Sequence, residues 1–155
     1  MIRISSKLVD GVVATRHHLA GKPALFAELA ELAAKYYGLD PVRILDGLTE
    51  RERLGPTGFG GGTAIPHCKI NGISEPMGVF LRLEKAMDYE AVDDEPVDLI
   101  FGLISPAGDG ASHLRALAEI SRMFRDEKSC AQLRGAADAD ALYALLALSE
   151  TRDAA

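Results

Sequence analysis

Val97-Asp-Leu-Ile-Phe-Gly-Leu-Ile-Ser105 decides the fold class. Only Asp98 and Ser105 interrupt a run of apolar residues and glycine, which suits a central strand buried on both faces. Pro106-Ala-Gly-Asp-Gly110 then breaks the strand. Ala111–Phe124 has helical spacing, with Leu114, Leu117, Ala118, Ile120, Ser121 and Phe124 expected on one face. Upstream, Gly78–Leu83 alternates Val79, Leu81 and Leu83 with Phe80 and Arg82 and reads as a second strand. Tyr89–Pro96 between them is acidic and turn-like, and Asp93-Asp94-Glu95 is expected to be a solvated turn. Ala64–Ile70 reads as a short strand carrying His67, and Gly11–Leu19 as the first strand of the chain. Between these last two lie two helical segments. Pro23 opens the first, Leu25, Phe26, Leu29, Leu32, Ala33 and Tyr36 recur along it, and Gly38 closes it. Asp40-Pro41 starts the second at cap and first-turn positions, with Val42, Ile44, Leu45 and Leu48 forming an apolar face up to about Arg53. Cys130–Arg134 and Ala139–Leu148 are helical as well. Strands interleaved with helices give an α/β fold, a layered mixed β-sheet flanked by helices. One domain is expected over residues 1–155, with a flexible tail at 149–155.

Composition narrows the function. The 155 residues carry a net charge of −6 and are 48% hydrophobic, ordinary for a globular domain. A nucleic-acid binder would need a basic stripe, so that class is set aside, while an acidic surface suits docking to a basic protein. Cys68 and Cys130 are far apart, fit no metal spacing, and are expected as free thiols in a reducing cytoplasm. Neither a signal-peptide pattern nor a membrane-length apolar stretch is visible, so no membrane insertion is expected.

The chemistry concentrates in Arg51-Glu-Arg-Leu-Gly-Pro-Thr-Gly-Phe-Gly-Gly-Gly-Thr-Ala-Ile-Pro-His67, which holds five of the chain's 15 glycines. Glycines leave backbone N–H groups open to an anion, and threonines add hydroxyl donors. Thr57, Gly58, Gly60, Gly62 and Thr63 are therefore expected to form a phosphate-holding loop. Arg51 and Arg53 offer planar guanidinium groups suited to phosphate, and Pro66 fixes the backbone just before His67. Each feature also has a plainer reading. His67 alone could be a strand histidine held in the core, but the loop and Pro66 favour function. His113 could be a first-turn capping residue, Arg51 a solvated helix-end residue, and Arg53 is read as surface. His17 and His18 point opposite ways on a strand, so they are a poor metal pair. Cys68 should face away from His67, which argues against a thiol–imidazole couple. Met77, Phe59 and Ile65 could line a docking patch or sit in the core.

These residues resemble a known family. Gly-x-Thr-x-x-Gly-x-Gly-x-Ala-Ile-Pro-His, ending at His67, is similar to the active-site signature of enzyme IIA domains of the bacterial phosphotransferase system, in the fructose, mannitol and nitrogen-regulatory class. The resemblance extends over the Arg-Glu-Arg-Leu-Gly lead-in, the Val97–Pro106 strand, and the His-Leu-x-x-Leu-Ala-x-Ile-Ser segment that begins at His113. It implies that His67 is phosphorylated, that Arg51 pairs with the phosphoryl group, and that His113 supports it. It also implies a histidine-containing phosphocarrier protein as donor, and regulatory targets or the cysteine of a IIB domain as acceptor. No cofactor or metal is implied. Two positions depart from the family's common pattern: Cys68 stands where glycine is frequent, and Ser112 where glutamate is frequent. The first bears on loop packing and the second on the orientation of His113.

Elementary chemistry agrees. A neutral imidazole is a competent nucleophile near neutral pH, and phosphoryl transfer asks mainly for positioning and charge neutralisation. At a helix N-terminus, where anions are favoured, His113 can stay neutral and donate one N–H to a phosphoryl oxygen. No IIB or transporter segment adjoins the domain within these residues, which leans toward the regulatory member of the class over a sugar-uptake component. Two rivals from other classes are a binding module without phosphotransfer and a metal-dependent hydrolase using His17, His18, His67 and His113. The second lacks an acidic cluster near His67.

Overall fold

The computed structural model describes the backbone of residues 12–154 and the side chains of residues 12–147. Strand β1 (Val13–Arg16) is shorter than the sequence pattern predicts, and Gly11 lies outside the described residues. Helices α1 (Lys22–Tyr37) and α2 (Pro41–Arg53) follow. Gly38 ends α1 in the left-handed region at φ 72°, and its N–H bonds the Ala34 carbonyl. Asp40 caps α2 by accepting from the Val42 N–H at 3.0 Å. The predicted strand over residues 64–70 is split by Ile65-Pro66 into β3 (Thr63–Ala64) and β4 (His67–Ile70), preceded by β2 (Gly58–Gly60). Then come β5 (Met77–Met87), β6 (Val97–Pro106), α3 (Gly110–Arg125), α4 (Glu127–Gly135) and α5 (Ala139–Ala154). The backbone of α5 runs into the segment read as a tail, whose side chains lie outside the described residues.

One mixed sheet organises the chain. Its order is β1-β5-β6-β3-β2, with β4 pairing β6 beyond β3. β6 is antiparallel to β5 and parallel to β3 and β4, so it is central and buried on both faces as expected. Parity along β6 assigns the layers. Gly102 meets Leu29 of α1, while Ser105 on the opposite face meets His113 of α3. Arg82, in register with Leu99, sends its guanidinium to the carbonyls of Leu133 at 2.9 Å and Ala136, at the end of α4. Thus α1 and α2 cover one face, and α3 and α4 the other.

Two sequence expectations, the apolar faces of α3 and α1, differ here from the structure, and Arg82 is buried despite its charge. Arg82 is buried because the orphan carbonyls at the α4 C-terminus satisfy it. The buried face of α3 is Ser112, His113, Ala116, Ile120 and Phe124, whereas Leu114 and Ala118 are exposed; the buried start of the helix is held by the Asp109 cap and by the contact of His113 with Ser105. In α1 the exposed ring is Tyr36, and its neighbour Tyr37 donates to the Gly78 carbonyl at 2.7 Å.

Candidate functional site

His67 opens β4, beside Leu103 of β6. Its side chain is on the α3 face of the sheet, and Cys68 turns to the α2 face. The two ring nitrogens of His67 have different fates. Nδ1 lies 2.8 Å from the Ile65 carbonyl oxygen, an acceptor only, so Nδ1 carries the proton. Nε2 lies 3.1 Å from Nε of Arg51, a donor only, so Nε2 holds a lone pair. Arg51 sits in the last turn of α2 and also donates from Nη1 to the Gly55 carbonyl at 3.0 Å. It reaches His67 around the side of β4 away from β6, on which no strand pairs among the described residues.

The His113 ring stands 5.2 Å from that of His67, centroid to centroid, at 49°. It belongs to the first turn of α3, capped by the Asp109 carboxylate accepting from the Ser112 N–H at 3.0 Å. Both imidazoles are held neutral. Burial lowers the pKa of His67 most; the Ile65 carbonyl opposes this, and the Arg51 cation adds to the lowering. For His113, burial first, and then the charges of His67, Lys69 and Arg51, bring it down to about 4. His67, His113, Arg51, Cys68, Lys69, Leu54, Gly47 and Glu50 line a recess of about 400 Å³. It therefore holds two neutral rings, the cations of Arg51 and Lys69, the carboxylate of Glu50 (paired outward with Arg53), and one exposed apolar rim residue, Leu54, at 84% exposure. That combination suits a doubly charged tetrahedral anion presented by a large partner.

The predicted residues divide. Arg51, His67 and His113 are brought together. Thr57, Gly58, Gly60, Gly62 and Thr63 are not, since none of them lines the recess. The Thr57 hydroxyl donates to Glu52 at 2.5 Å and lies 2.8 Å from the Tyr89 hydroxyl. Thr63 donates to the Gly60 carbonyl at 2.9 Å. Gly58 packs so closely on Tyr89 and Ala91 that a Cβ would approach them within 3 Å. The Gly61 N–H donates to Asp93 at 3.1 Å, and its carbonyl accepts from Arg134, itself paired with Asp98. Gly61 and Gly62 turn at φ 66° and 78°, where a Cβ is strained. The glycines form a tight hairpin in which the Gly61 amide and the Thr57 and Thr63 hydroxyls have partners within the fold, and none of the five predicted loop residues lines the recess. Asp93, read as a solvated turn residue, secures that hairpin.

Other readings sort in the same way. Arg53 pairs with Glu50 on the surface at 2.8 Å. His17 meets Glu84 at 3.2 Å, and neither His17 nor His18 lines the recess. Burial pushes the Cys68 thiol up to about 12, so it is no nucleophile near neutral pH. Its Cβ fits against Gly47 of α2, where a Cβ would come within 2.8 Å of it, which explains how α2 admits cysteine at that position. Ile65 is core, Phe59 is exposed and Met77 is half-buried. Lys69 escaped the sequence reading, although it follows His67 by two positions on a predicted strand and therefore shares its face.

Comparison with known proteins gives this architecture its class. Residues 8–148 match the family described as "Phosphoenolpyruvate-dependent sugar phosphotransferase system, EIIA 2". A nitrogen regulatory protein of Bradyrhizobium diazoefficiens is 43% identical over 127 residues, covering 82% of this chain and 83% of the relative. The crystal structure of the nitrogen regulatory protein IIA-Ntr from Neisseria meningitidis superposes with a TM-score of 0.84 at 30% identity, covering 92% of this chain and 98% of that one. The IIA mannitol structure from Escherichia coli shares the fold, with a TM-score of 0.73 at 18% identity, over 90% of this chain and 99% of that one. The chain belongs to the phosphotransferase-system EIIA 2 family. Among the described residues no helix is long and apolar enough to cross a membrane.

Proposed function

We propose that this chain is a phosphocarrier of the phosphoenolpyruvate-dependent phosphotransferase system that accepts a phosphoryl group on Nε2 of His67 and acts as a nitrogen or metabolic regulatory component. One observation carries the reading: the proton of His67 is tied to the Ile65 carbonyl through Nδ1, which leaves the Nε2 lone pair pointing into a cationic recess. The donor is a phosphohistidine on a histidine-containing phosphocarrier protein. The Nε2 lone pair forms the new N–P bond as the donor's N–P bond breaks. The bonding electrons stay on the donor ring, which is protonated at its other nitrogen and leaves as neutral imidazole. Nδ1–H keeps its bond to Ile65 throughout. Arg51 then turns its donors from Nε2 to a phosphoryl oxygen, His113 donates to another, and Lys69 adds charge at the rim. Preorganised charge of this kind is what phosphoryl transfer asks of a protein. Exposed Leu54 beside the recess and exposed Leu114 next to His113 give the carrier an apolar footing. The expected setting is a reducing cytoplasm, in which buried Cys68 and Cys130 stay thiols.

The regulatory assignment is supported by the nitrogen regulatory proteins among the relatives. The alternative, a sugar-uptake component handing the group to a IIB cysteine, draws on the shared fold of the mannitol protein. Incubation with phosphoenolpyruvate and the upstream carriers should add one acid-labile phosphoryl group to the intact mass, and none to His67→Ala. Undiminished labelling of that variant would overturn the assignment. Affinity capture with unphosphorylated and phosphorylated protein separates the roles. Regulatory targets should distinguish the two states, because phosphate adds about −1.5 to −2 charge, whereas capture of a IIB domain alone would favour sugar uptake.

A further inference from the structure

We propose that Ser105 is a positioning residue: its hydroxyl donates to Nδ1 of His113, which fixes the ring in the Nε2–H tautomer and directs that N–H toward the group on His67. The mechanistic half of this inference rests on the phosphocarrier reading above. Ser105 lies on β6 in register with Lys69, two positions beyond Leu103, the partner of His67. Its side chain therefore shares the face that carries His67 and receives α3. The residue is fully buried, and its Oγ is 2.7 Å from Nδ1 of His113.

The direction of this bond follows from counting partners. Among the described residues, Nδ1 of His113 is the single hydrogen-bond partner of the Ser105 hydroxyl. If the ring donated, the hydroxyl proton would be left buried with no acceptor, a costly arrangement. If the hydroxyl donates, its proton is used and the proton of the neutral ring must sit on Nε2. The charged groups facing His113, namely Lys69 on β4 and Arg51 on α2, are cations and disfavour an imidazolium, so the neutral ring is the form whose tautomer matters. Ser112, the departure beside His113, is occupied elsewhere, with its hydroxyl donating to the Asp109 carbonyl at 3.1 Å. The orienting contact to this histidine thus comes from below, out of the central strand. The two site histidines hold opposite tautomers, Nδ1–H in His67 and Nε2–H in His113, so one offers a lone pair where the other offers a proton. With the other tautomer, His113 would turn a lone pair toward a phosphoryl oxygen and repel it.

The test is long-range proton–nitrogen correlation on histidine-labelled, unphosphorylated protein at mildly alkaline pH. In wild type, His113 should show a pyridine-type Nδ1 and a pyrrole-type Nε2, and His67 the reverse. Ser105→Ala should convert His113 to a tautomer mixture without altering His67, and Ser105→Thr, which keeps the hydroxyl, should restore it. Phosphoryl acceptance should fall about three- to tenfold in the alanine variant and recover in the threonine variant. A wild-type His113 protonated on Nδ1, or a tautomer unmoved by Ser105→Ala, overturns the proposal. The tautomer is read without any phosphoryl group, so failure of His67 to become labelled would sink the phosphocarrier reading and leave the tautomer result standing.

Discussion

The glycine hairpin over residues 58–64 and the recess around His67 both read as anion sites in sequence, yet they are opposites in structure. In the hairpin Thr57 is committed to Glu52 and Tyr89, Gly61 to Asp93 and Arg134, and the Thr63 hydroxyl to Gly60. The recess keeps a lone pair on Nε2 of His67, contacted by a guanidinium that can turn to a new acceptor. Donor-rich composition therefore does not identify an anion site; uncommitted donors do. The hairpin carries the chain from the end of α2 back into β3.

Removing either helper of the recess should have the largest effect. Arg51→Ala and His113→Ala each delete a donor to a charged group, and phosphoryl transfer to His67 should slow about ten- to a hundredfold while the same residue is still labelled. Single-turnover transfer from the phosphorylated carrier measures this, and full-speed transfer in both variants would remove them from the site.

Gly62→Ala sharpens the contrast from the other side. The position has φ 78°, and a Cβ there would come within 2.5 Å of the Arg134 guanidinium. The expected loss is about 1–3 kcal/mol of stability by denaturant unfolding, with transfer by the folded protein near the wild-type rate. A variant of unchanged stability but failed transfer would restore the hairpin as a phosphate loop.

Acid titration gives a smaller effect. His113 is held at about 4 in the fold against an ordinary 6.5, so the unfolded chain takes up its proton first. This contribution to stability is complete above 6.5 and declines as the pH falls from there toward 4. The melting temperature of wild type should therefore drop more steeply across that window than that of His113→Gln. Parallel curves would mean that the ring is not held neutral by its surroundings. The smallest change is expected for Arg53→Ala, which removes only the exposed pair with Glu50 and should alter stability by less than about 0.5 kcal/mol, with transfer intact.

Much of the fold was legible in the sequence because it follows from periodicity and punctuation. The apolar run at residues 97–105 suits a strand buried on both faces, and Gly38, Asp40 and Pro41 mark their helix boundaries through backbone conformation. The proposed phosphoryl acceptor was legible as well, since Pro66 and the signature ending at His67 are local, and strand parity separated His67 from Cys68. The same parity places Lys69 on the face of His67. What the sequence could not supply is the partner of each polar group. The hydroxyl of Thr57 and the amide of Gly61 look free until Glu52 and Asp93 arrive from elsewhere in the chain. The end of α4 that meets Arg82, and the burial of His113 against Ser105 while Leu114 stays exposed, are equally invisible along the sequence. Local pattern fixes which residues can form an element and which can react. Only tertiary structure decides which donors and acceptors are already spent, because hydrogen-bond partners in a folded chain are set by proximity across the sheet and not by distance along the sequence.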